Sequence, residues 1–447
     1  MGLTHLLSFL SVLRSVGSIV LAVAILLAMV TIHEFGHYVA GKLLHFKINE
    51  FSVGFGPALL KKRSKKTGEL FALRLIPLGG YCAFEGEDDA DEEAPGGKGQ
   101  DGAKGMAEGA EEIFGLSESD SGRPEDVGSP AEITAAAPES ESEKEPEKAP
   151  EKMSGEPAPV PSASPAPAEG LKFNDQPPWK RIVVLIAGAT MNYLLALVII
   201  VVMFTCLGRP RSYIRAVPET QVTEAGTDAL QADDIVLSVD GKDLFLITDY
   251  VDALSGKTAG EIVPVEVLRL NADGRRERMT LSVPLQADGN FANMSDTGAL
   301  YGILGINPEK CEIVFAYMKG GFWESLGDSF VYSWKLGGTI LRSLGELLTG
   351  KLGLSSMGGP VTTIRVTAEA ASYNLYSFLN IAGFIGVNLA VFNLLPIPAL
   401  DGSKVIFCII EWIRKKPLNR KVETMIHFIG IIFLLGFAVL VDLLQFF

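Results

Sequence analysis

The stretch GSIVLAVAILLAMVTIHEFGHYVAG, Gly17 to Gly41, decides how the rest of the chain is read. It is long and apolar enough to cross a bilayer, since about 20 apolar residues of helix span the hydrocarbon core. Its run exceeds a signal-peptide core and no small-residue cleavage site follows, so it reads as a retained span. Yet it carries His33, Glu34 and His37 in its second half. On a helix, positions i and i+4 share one face about 6 Å apart along the axis, so both imidazoles can each give one nitrogen to a single zinc ion. Glu34 sits beside one of them and can reach the position left for water without entering the coordination sphere. Histidine is scarce, 5 in 447 residues, and a chance HExxH is expected only about once in a few hundred such chains. Ionisable groups inside a span are costly, which favours chemistry over polar residues that simply hold helices together. His45 and His427, each alone near a membrane boundary, read as structural.

Three further apolar stretches are candidate spans: Ile182–Leu207, Leu375–Leu395 and Ile426–Phe447. Basic residues set their orientation. Lys61, Lys62, Arg63, Lys65 and Lys66 follow the first span, Lys180 and Arg181 precede the second, and Arg414, Lys415, Lys416, Arg420 and Lys421 join the third to the fourth. Both connections are expected in the cytoplasm, with both termini and residues 208–374 outside it. Arg209, Arg211 and Arg215 dissent, but they lead into a long domain that translocates largely regardless of charge.

Composition supports a division of the chain. A mean hydropathy of +0.27 sits oddly with a net charge of −14. Glu85 to Gly170 holds 24 acidic and 6 basic residues, a net of −18, which leaves the remainder at +4. The acidity therefore belongs to one segment, rich in Glu, Gly, Ala, Pro and Ser, that cannot bury enough apolar surface to offset its ordering entropy. It is expected to be a disordered cytoplasmic insertion serving as a solvated spacer. No basic arm or aromatic-basic surface points to nucleic acid. The four cysteines are widely separated with no CxxC pair, which excludes a disulfide framework or cysteine zinc site. From about Arg211 to Leu285 short β-type runs (235–239, 262–268, 279–283) alternate with Asp240-Gly241 and Asp273-Gly274 turns. Residues 309–374 read as amphipathic helix with glycine breaks, suited to the outer membrane surface.

A catalytic zinc site needs a third protein ligand and one position for water. The best candidate is Asp401 in Asn393-Leu-Leu-Pro-Ile-Pro-Ala-Leu-Asp401-Gly402. Pro396 and Pro398 should break the third span, and broken backbone at membrane depth is tolerated where it lines a cavity or is buried in protein. Taken alone, Asp401-Gly402 reads equally as a turn at a helix end.

Seven features in order carry a family resemblance: HEFGH at 33–37, GFGP at 54–57, PLGGY at 77–81, WKRIVVLIAGATMN at 179–192, a PDZ-like region, GGPVT at 358–362 and NLLPIPALDG at 393–402. Together they resemble the site-2 protease family of intramembrane zinc metalloproteases, in its bacterial PDZ-containing branch, over nearly all the chain except the acidic insertion. The resemblance implies a mainly α-helical polytopic membrane protein with four transmembrane helices, a membrane-associated β-hairpin and an extracytoplasmic β-rich PDZ-like domain. Its expected divisions are 1–85 (first span and hairpin), 86–170 (acidic insertion), 171–208 (second span), 209–290 (PDZ-like domain), 291–374 (linker and surface helices) and 375–447 (third and fourth spans).

The resemblance also implies roles. Asp401 completes the zinc site with His33 and His37, one Zn2+ per chain, and Glu34 is the catalytic base. Asn393 is a candidate substrate or transition-state contact, weighed evenly against a hydrogen bond within the helix bundle, and Asn192 is structural. Leu70–Ile76, then a turn at Pro77–Tyr81, offers an edge that could add an unwound substrate as a further strand, with Leu73, Gly79 and Gly80 as candidate substrate-binding residues. A structural hairpin is the alternative. In the PDZ-like region Asp233 stands where glycine is expected and no clear carboxylate-binding loop precedes it, so a steric filter is weighed equally with peptide or protein binding. The implied partners are the lipid bilayer and single-span membrane proteins already shortened outside the membrane, such as anti-sigma factors, or remnant signal peptides. The implied location is the bacterial cytoplasmic (inner) membrane. The alternative is a non-catalytic PDZ-containing membrane scaffold. A transporter would predict repeated polar spans or inverted repeats, and neither is present in the sequence.

Overall fold

The computed structural model describes residues 2–87, 170–217, 230–271 and 273–445, with the side chains of residues 2–13, Pro77, Leu78 and Ser355 left aside. The folded unit comprises residues 1–95 and 167–447, and the intervening Gly96–Ala166 lies outside the described residues. So does nearly all of the segment expected to be a disordered insertion.

Among the described residues, four helices are long and apolar enough to cross a membrane. Helix α1 (Gly2–Leu43) contains the first candidate span, Arg14–Leu43. Helix α2 (Pro178–Cys206) starts on a proline at its first position, where the missing N–H costs nothing. Helix α7 (Leu375–Leu394) is capped by Asn374, whose side chain accepts the Ser377 N–H at 2.7 Å. It ends where the residues ahead of Pro396 and Pro398 are forced towards extended backbone. Helix α8 (Asp401–Arg414) restarts after a bend in which Ala399 takes φ +78°, so the expected break in the third span is present. Helix α9 (Arg420–Leu444) is the fourth.

Between α1 and α2 lies a small sheet built from β1 (Ile48–Arg63) and β2 (Leu70–Phe84). Each strand bends on itself, helped by Gly54 and Gly56 at φ +86° and +81° and Gly79 at +115°. Phe51 therefore sits opposite Cys82 on one side and Phe71 on the other, while Leu70–Leu73 also pairs with Leu60–Arg63. The expected turn at Pro77–Tyr81 is part of β2. Leu73 stands opposite both Val53 and Leu60, so the free edge expected along Leu70–Leu73 is taken. The inner rim is instead Gly80–Phe84, and among the described residues no further strand pairs beside it. Arg74 ties the sheet together, donating to Glu50 (2.7 Å), Ser52 (2.8 Å), the Gly56 carbonyl (2.8 Å) and the Tyr81 hydroxyl (2.7 Å). Burial first, then the Glu50 carboxylate, push the Tyr81 phenol above its ordinary pKa.

After α2 the chain enters a six-stranded sheet. Its members are β3 (Arg209–Ala216), β4 (Ile235–Val239), β5 (Lys242–Asp243), β6 (Ile262–Leu270), β7 (Arg276–Pro284) and β8 (Cys311–Met318), in the order β7-β6-β4-β3-β8 with β5 on β4. Asp240 and Gly241 both take positive φ, 52° and 73°, the two-residue hairpin turn that matches strand twist. Helices α3 (Ile247–Leu254) and α4 (Thr297–Leu304) cover the sheet, and Tyr250, Leu254, Leu300 and Ile303 join Val263, Val265 and Val283 in its core. The unit therefore runs past the expected boundary at 290: α4 fills its core and β8 pairs with β3 from end to end. Residues 311–318, expected to be helical, form this edge strand because their partner lies a hundred residues earlier. Asp233 takes φ +72°, which is why a glycine suits that position. Residues 218–229, where a carboxylate-binding loop was sought, lie outside the described residues.

Helix α5 (Phe322–Leu348) follows, then α6 (Pro360–Tyr373). Arg209 and Arg211, which dissented from the charge pattern, are both buried against α5. Arg209 binds Glu324 and Asp328, and Arg211 reaches Asp328 at 3.5 Å. Asp442 near the end of α9 caps α6, accepting from Val361 N (3.0 Å), Thr362 N (3.0 Å) and Thr362 Oγ1 (2.8 Å). The GGPVT motif is that docking point: a Cβ on Gly359 would lie 2.5 Å from Asp442 Cγ.

Candidate metal centre

His33 and His37 project from α1 on one face and are both buried; Asp401 is the first residue of α8. The bend after α7 and the start of α8 bring its carboxylate to them. His33 Nε2 lies 3.0 Å from Asp401 Oδ2, His37 Nε2 lies 3.3 Å from the same oxygen, and the two Nε2 atoms are 3.1 Å apart. A tetrahedral zinc with ligands at about 2.0–2.1 Å holds its donor atoms about 3.3 Å apart. The triangle therefore has the edge lengths of one tetrahedral face, which leaves a fourth position for water or substrate. Among the described residues this is the one cluster of three or more His, Cys, Asp or Glu able to hold a metal.

The far nitrogens of the imidazoles are also provided for. His37 Nδ1–H donates to the Val184 carbonyl of α2 at 2.8 Å, which leaves Nε2 free to bind metal. His33 Nδ1 faces Asn192 at 3.3 Å and Asn393 at 3.4 Å. A ligand binding through Nε2 carries its proton on Nδ1 and needs an acceptor there. Asn192 Oδ1 is buried with no hydrogen-bond partner, and a half-turn of that carboxamide brings it onto the proton. An orphaned acceptor beside a ligand's far nitrogen and a two-nitrogen, one-oxygen donor set both fit zinc.

Close helix packing makes room for the centre. A Cβ on Gly188 would fall 2.4 Å from His37 Nε2 and 2.7 Å from His33 Cε1, and one on Gly36 would fall 2.5 Å from the Ala187 carbonyl. Only glycine at both places lets α1 and α2 approach with two imidazoles between them. Gly402 does the same for α8, since a Cβ there would lie 2.2 Å from the Leu395 carbonyl. Glu34 is half-buried beside the sheet, and the Cβ position of Gly80 lies 3.2 Å from Glu34 Cγ. The rim strand Gly80–Phe84 thus passes the candidate base. Gly79 packs on the Phe55 ring, whereas Leu73 is central in the sheet.

Of the residues named from the sequence, the structure brings His33, His37 and Asp401 into one cluster, with Glu34 next to His33 in α1. Sequence reasoning missed Gly188, the Val184 carbonyl and the contact of Asn192 with a ligand. The signals for the first and last were a glycine and an asparagine within an otherwise apolar span.

Comparison with known proteins agrees with this geometry. The model for Peptidase family M50 matches residues 21–437. The chain belongs to this family, the site-2 proteases. Regulator of sigma-W protease RasP of Bacillus subtilis is 26% identical over 431 residues, covering 94% of this chain and 96% of that one. Zinc metalloprotease RasP of Bacillus licheniformis is 27% identical over 423 residues, 91% of this chain and 93% of that one. Its counterpart in Geobacillus kaustophilus is 25% identical over 433 residues, 92% and 94%. The protein is a zinc metalloendopeptidase of the intramembrane type.

Proposed function

We propose that the enzyme hydrolyses peptide bonds within or beside transmembrane segments of single-span proteins already shortened outside the membrane, such as anti-sigma factors, or of remnant signal peptides. The observation that carries this reading is the His33–His37–Asp401 triangle, set among apolar spans with Glu34 and a strand rim beside it. The name of the Bacillus subtilis relative, a regulator of sigma-W protease, supports the substrate class.

Bound zinc supplies a Lewis acid that acidifies water and polarises the scissile carbonyl. His33, His37 and Asp401 hold it; Glu34 takes a proton from the attacking water and delivers it to the departing amine. A substrate helix hides its carbonyls, so the segment must unwind first. The rim Gly80–Ala83 receives it as an added strand through main-chain hydrogen bonds that tolerate many sequences. Asn393 keeps His33 in place and lies close enough to meet the substrate. The host membrane is the bacterial cytoplasmic membrane, with both termini and the six-stranded domain outside. That domain is PDZ-like and excludes substrates with bulky outer portions.

The test is cleavage of a tagged single-span substrate in membranes by the wild type against Glu34→Gln. Cleavage by the wild type alone supports the reading. Equal cleavage by both, with zinc bound in each, overturns the role of Glu34.

A further inference from the structure

Glu411 is an acidic residue near the far end of the helix that delivers Asp401, and the proposed mechanism does not use it. Its side chain and that of Arg181 on α2 are each 5% exposed, and Arg181 Nη2 meets Glu411 Oε2 at 2.5 Å. The other oxygen, Oε1, accepts the Leu418 N–H at 2.9 Å and Arg420 Nη2 at 3.2 Å. One carboxylate therefore joins α2, the α8–α9 turn and the first residue of α9.

We infer that the Arg181–Glu411 pair sets the axial position of α8 along α2 and so places Asp401 against His33 and His37, which makes both positioning residues. The inference rests on reading that trio as the zinc site. One short segment of α2 meets every part involved. Arg181 binds Glu411, Val184 holds His37 through its carbonyl, Val184 and Leu185 share a core with Cys408 of α8, and Gly188 lies under both imidazoles. Asp401 and Glu411 are ten residues apart, about 15 Å along a helix. Apolar contacts such as those of Cys408 with Val184 and Leu185 are non-directional and fix axial position weakly. A buried ion pair is directional, and setting register is its best-attested use. A second ion pair from α8, Lys404 to Glu87 at 2.6 Å, is more exposed, at 30% and 16%.

The experiment uses purified full-length enzyme, the disrupting variants Glu411→Gln and Arg181→Met, and the conservative variant Arg181→Lys, which keeps a cation for Glu411 Oε2 and leaves Leu418 and Arg420 their acceptor. Zinc affinity is measured by chelator competition, the visible spectrum is recorded on the cobalt(II) form, and maleimide labelling of Cys408, 5% exposed in the native fold, is mapped by mass spectrometry. Each disrupting variant is expected to weaken zinc binding by about 10- to 100-fold, the range for residues that orient metal ligands, to alter the cobalt spectrum and to speed Cys408 labelling. Arg181→Lys is expected to keep most of the zinc affinity, the spectrum and the protection of Cys408. Zinc affinity and spectrum unchanged in the disrupting variants overturn the inference, whether or not Cys408 becomes reactive. So does an Arg181→Lys variant that protects Cys408 but loses zinc as Arg181→Met does. Failure of the zinc-site reading looks different: His33→Ala would then leave wild-type zinc affinity unaltered.

Discussion

Gly188→Ala places a methyl group against the candidate metal ligands without altering either imidazole or the Asp401 carboxylate. Its Cβ would lie 2.4 Å from His37 Nε2 and 2.7 Å from His33 Cε1. Ordinary contacts of this kind begin near 3.4 Å, so about 1 Å must be found, against a tolerance of about 0.2 Å in metal–ligand distance. The backbone cannot supply it, because Gly36 already sits against the Ala187 carbonyl from the other side. Overpacking of this sort costs about 1–3 kcal/mol. If the imidazoles take up the displacement, zinc affinity falls by about 5- to 150-fold. The assay pairs zinc affinity by chelator competition with cleavage of a single-span substrate at saturating zinc. Gly327→Ala on α5, where a Cβ meets nothing within 4 Å, is the control. Wild-type zinc affinity and wild-type cleavage in Gly188→Ala would refute the packing argument.

Other outcomes follow from the same contacts. His33→Ala and Asp401→Asn should each lose zinc on dialysis, read by elemental analysis, whereas Glu34→Gln should keep it and lose cleavage. Asn192→Leu removes the acceptor for the His33 Nδ1 proton and should weaken zinc by about 10- to 100-fold, measured by the same competition. Asp442→Ala leaves the Val361 and Thr362 N–H groups uncapped and should cost about 1–3 kcal/mol locally, seen as faster proteolysis around α6. Arg209→Met leaves Asp328 with Arg211 alone, at 3.5 Å, while Glu324, 56% exposed, rehydrates. The expected loss is about 1–3 kcal/mol, below that of a fully buried pair, measured as a lower melting temperature.

The three candidate metal ligands and the candidate base were legible in the sequence because their chemistry is unusual where they stand: two histidines and a glutamate in an apolar run, and an aspartate after two helix-breaking prolines. The glycines that make room for them were not, because a glycine declares no partner until the opposing helix is in place. The sheet beside α1 was read as a simple strand and turn. Its real order depends on Gly54, Gly56 and Gly79 bending both strands, and pairing between bent halves leaves no periodic trace. Cys311–Met318 was misread for a related reason: eight mostly apolar residues fit a helix or an edge strand, and their partner β3 is remote in sequence. Arg209 and Arg211 blurred the charge pattern because their charges are spent on α5 rather than on the membrane surface.

The main-chain bonds around Lys47 bear on what the acidic segment asks of the fold. Lys47 N–H donates to the Leu171 carbonyl, Glu85 N–H donates to the Lys47 carbonyl and Phe173 N–H donates to the Glu85 carbonyl. The polypeptide thus departs near Gly86 and returns at Gly170 onto one patch of backbone that is already stitched shut. Each doubling of a flexible loop's length adds only about 0.6 kcal/mol to the cost of closing it. A segment joined to two such anchored ends therefore asks little of the frame, whose own main-chain bonds already hold Lys47, Glu85 and Phe173 together. Glu85 and Glu87, the first two acidic residues of that stretch, belong to the frame itself, Glu85 through these main-chain bonds and Glu87 through its ion pair with Lys404 of α8.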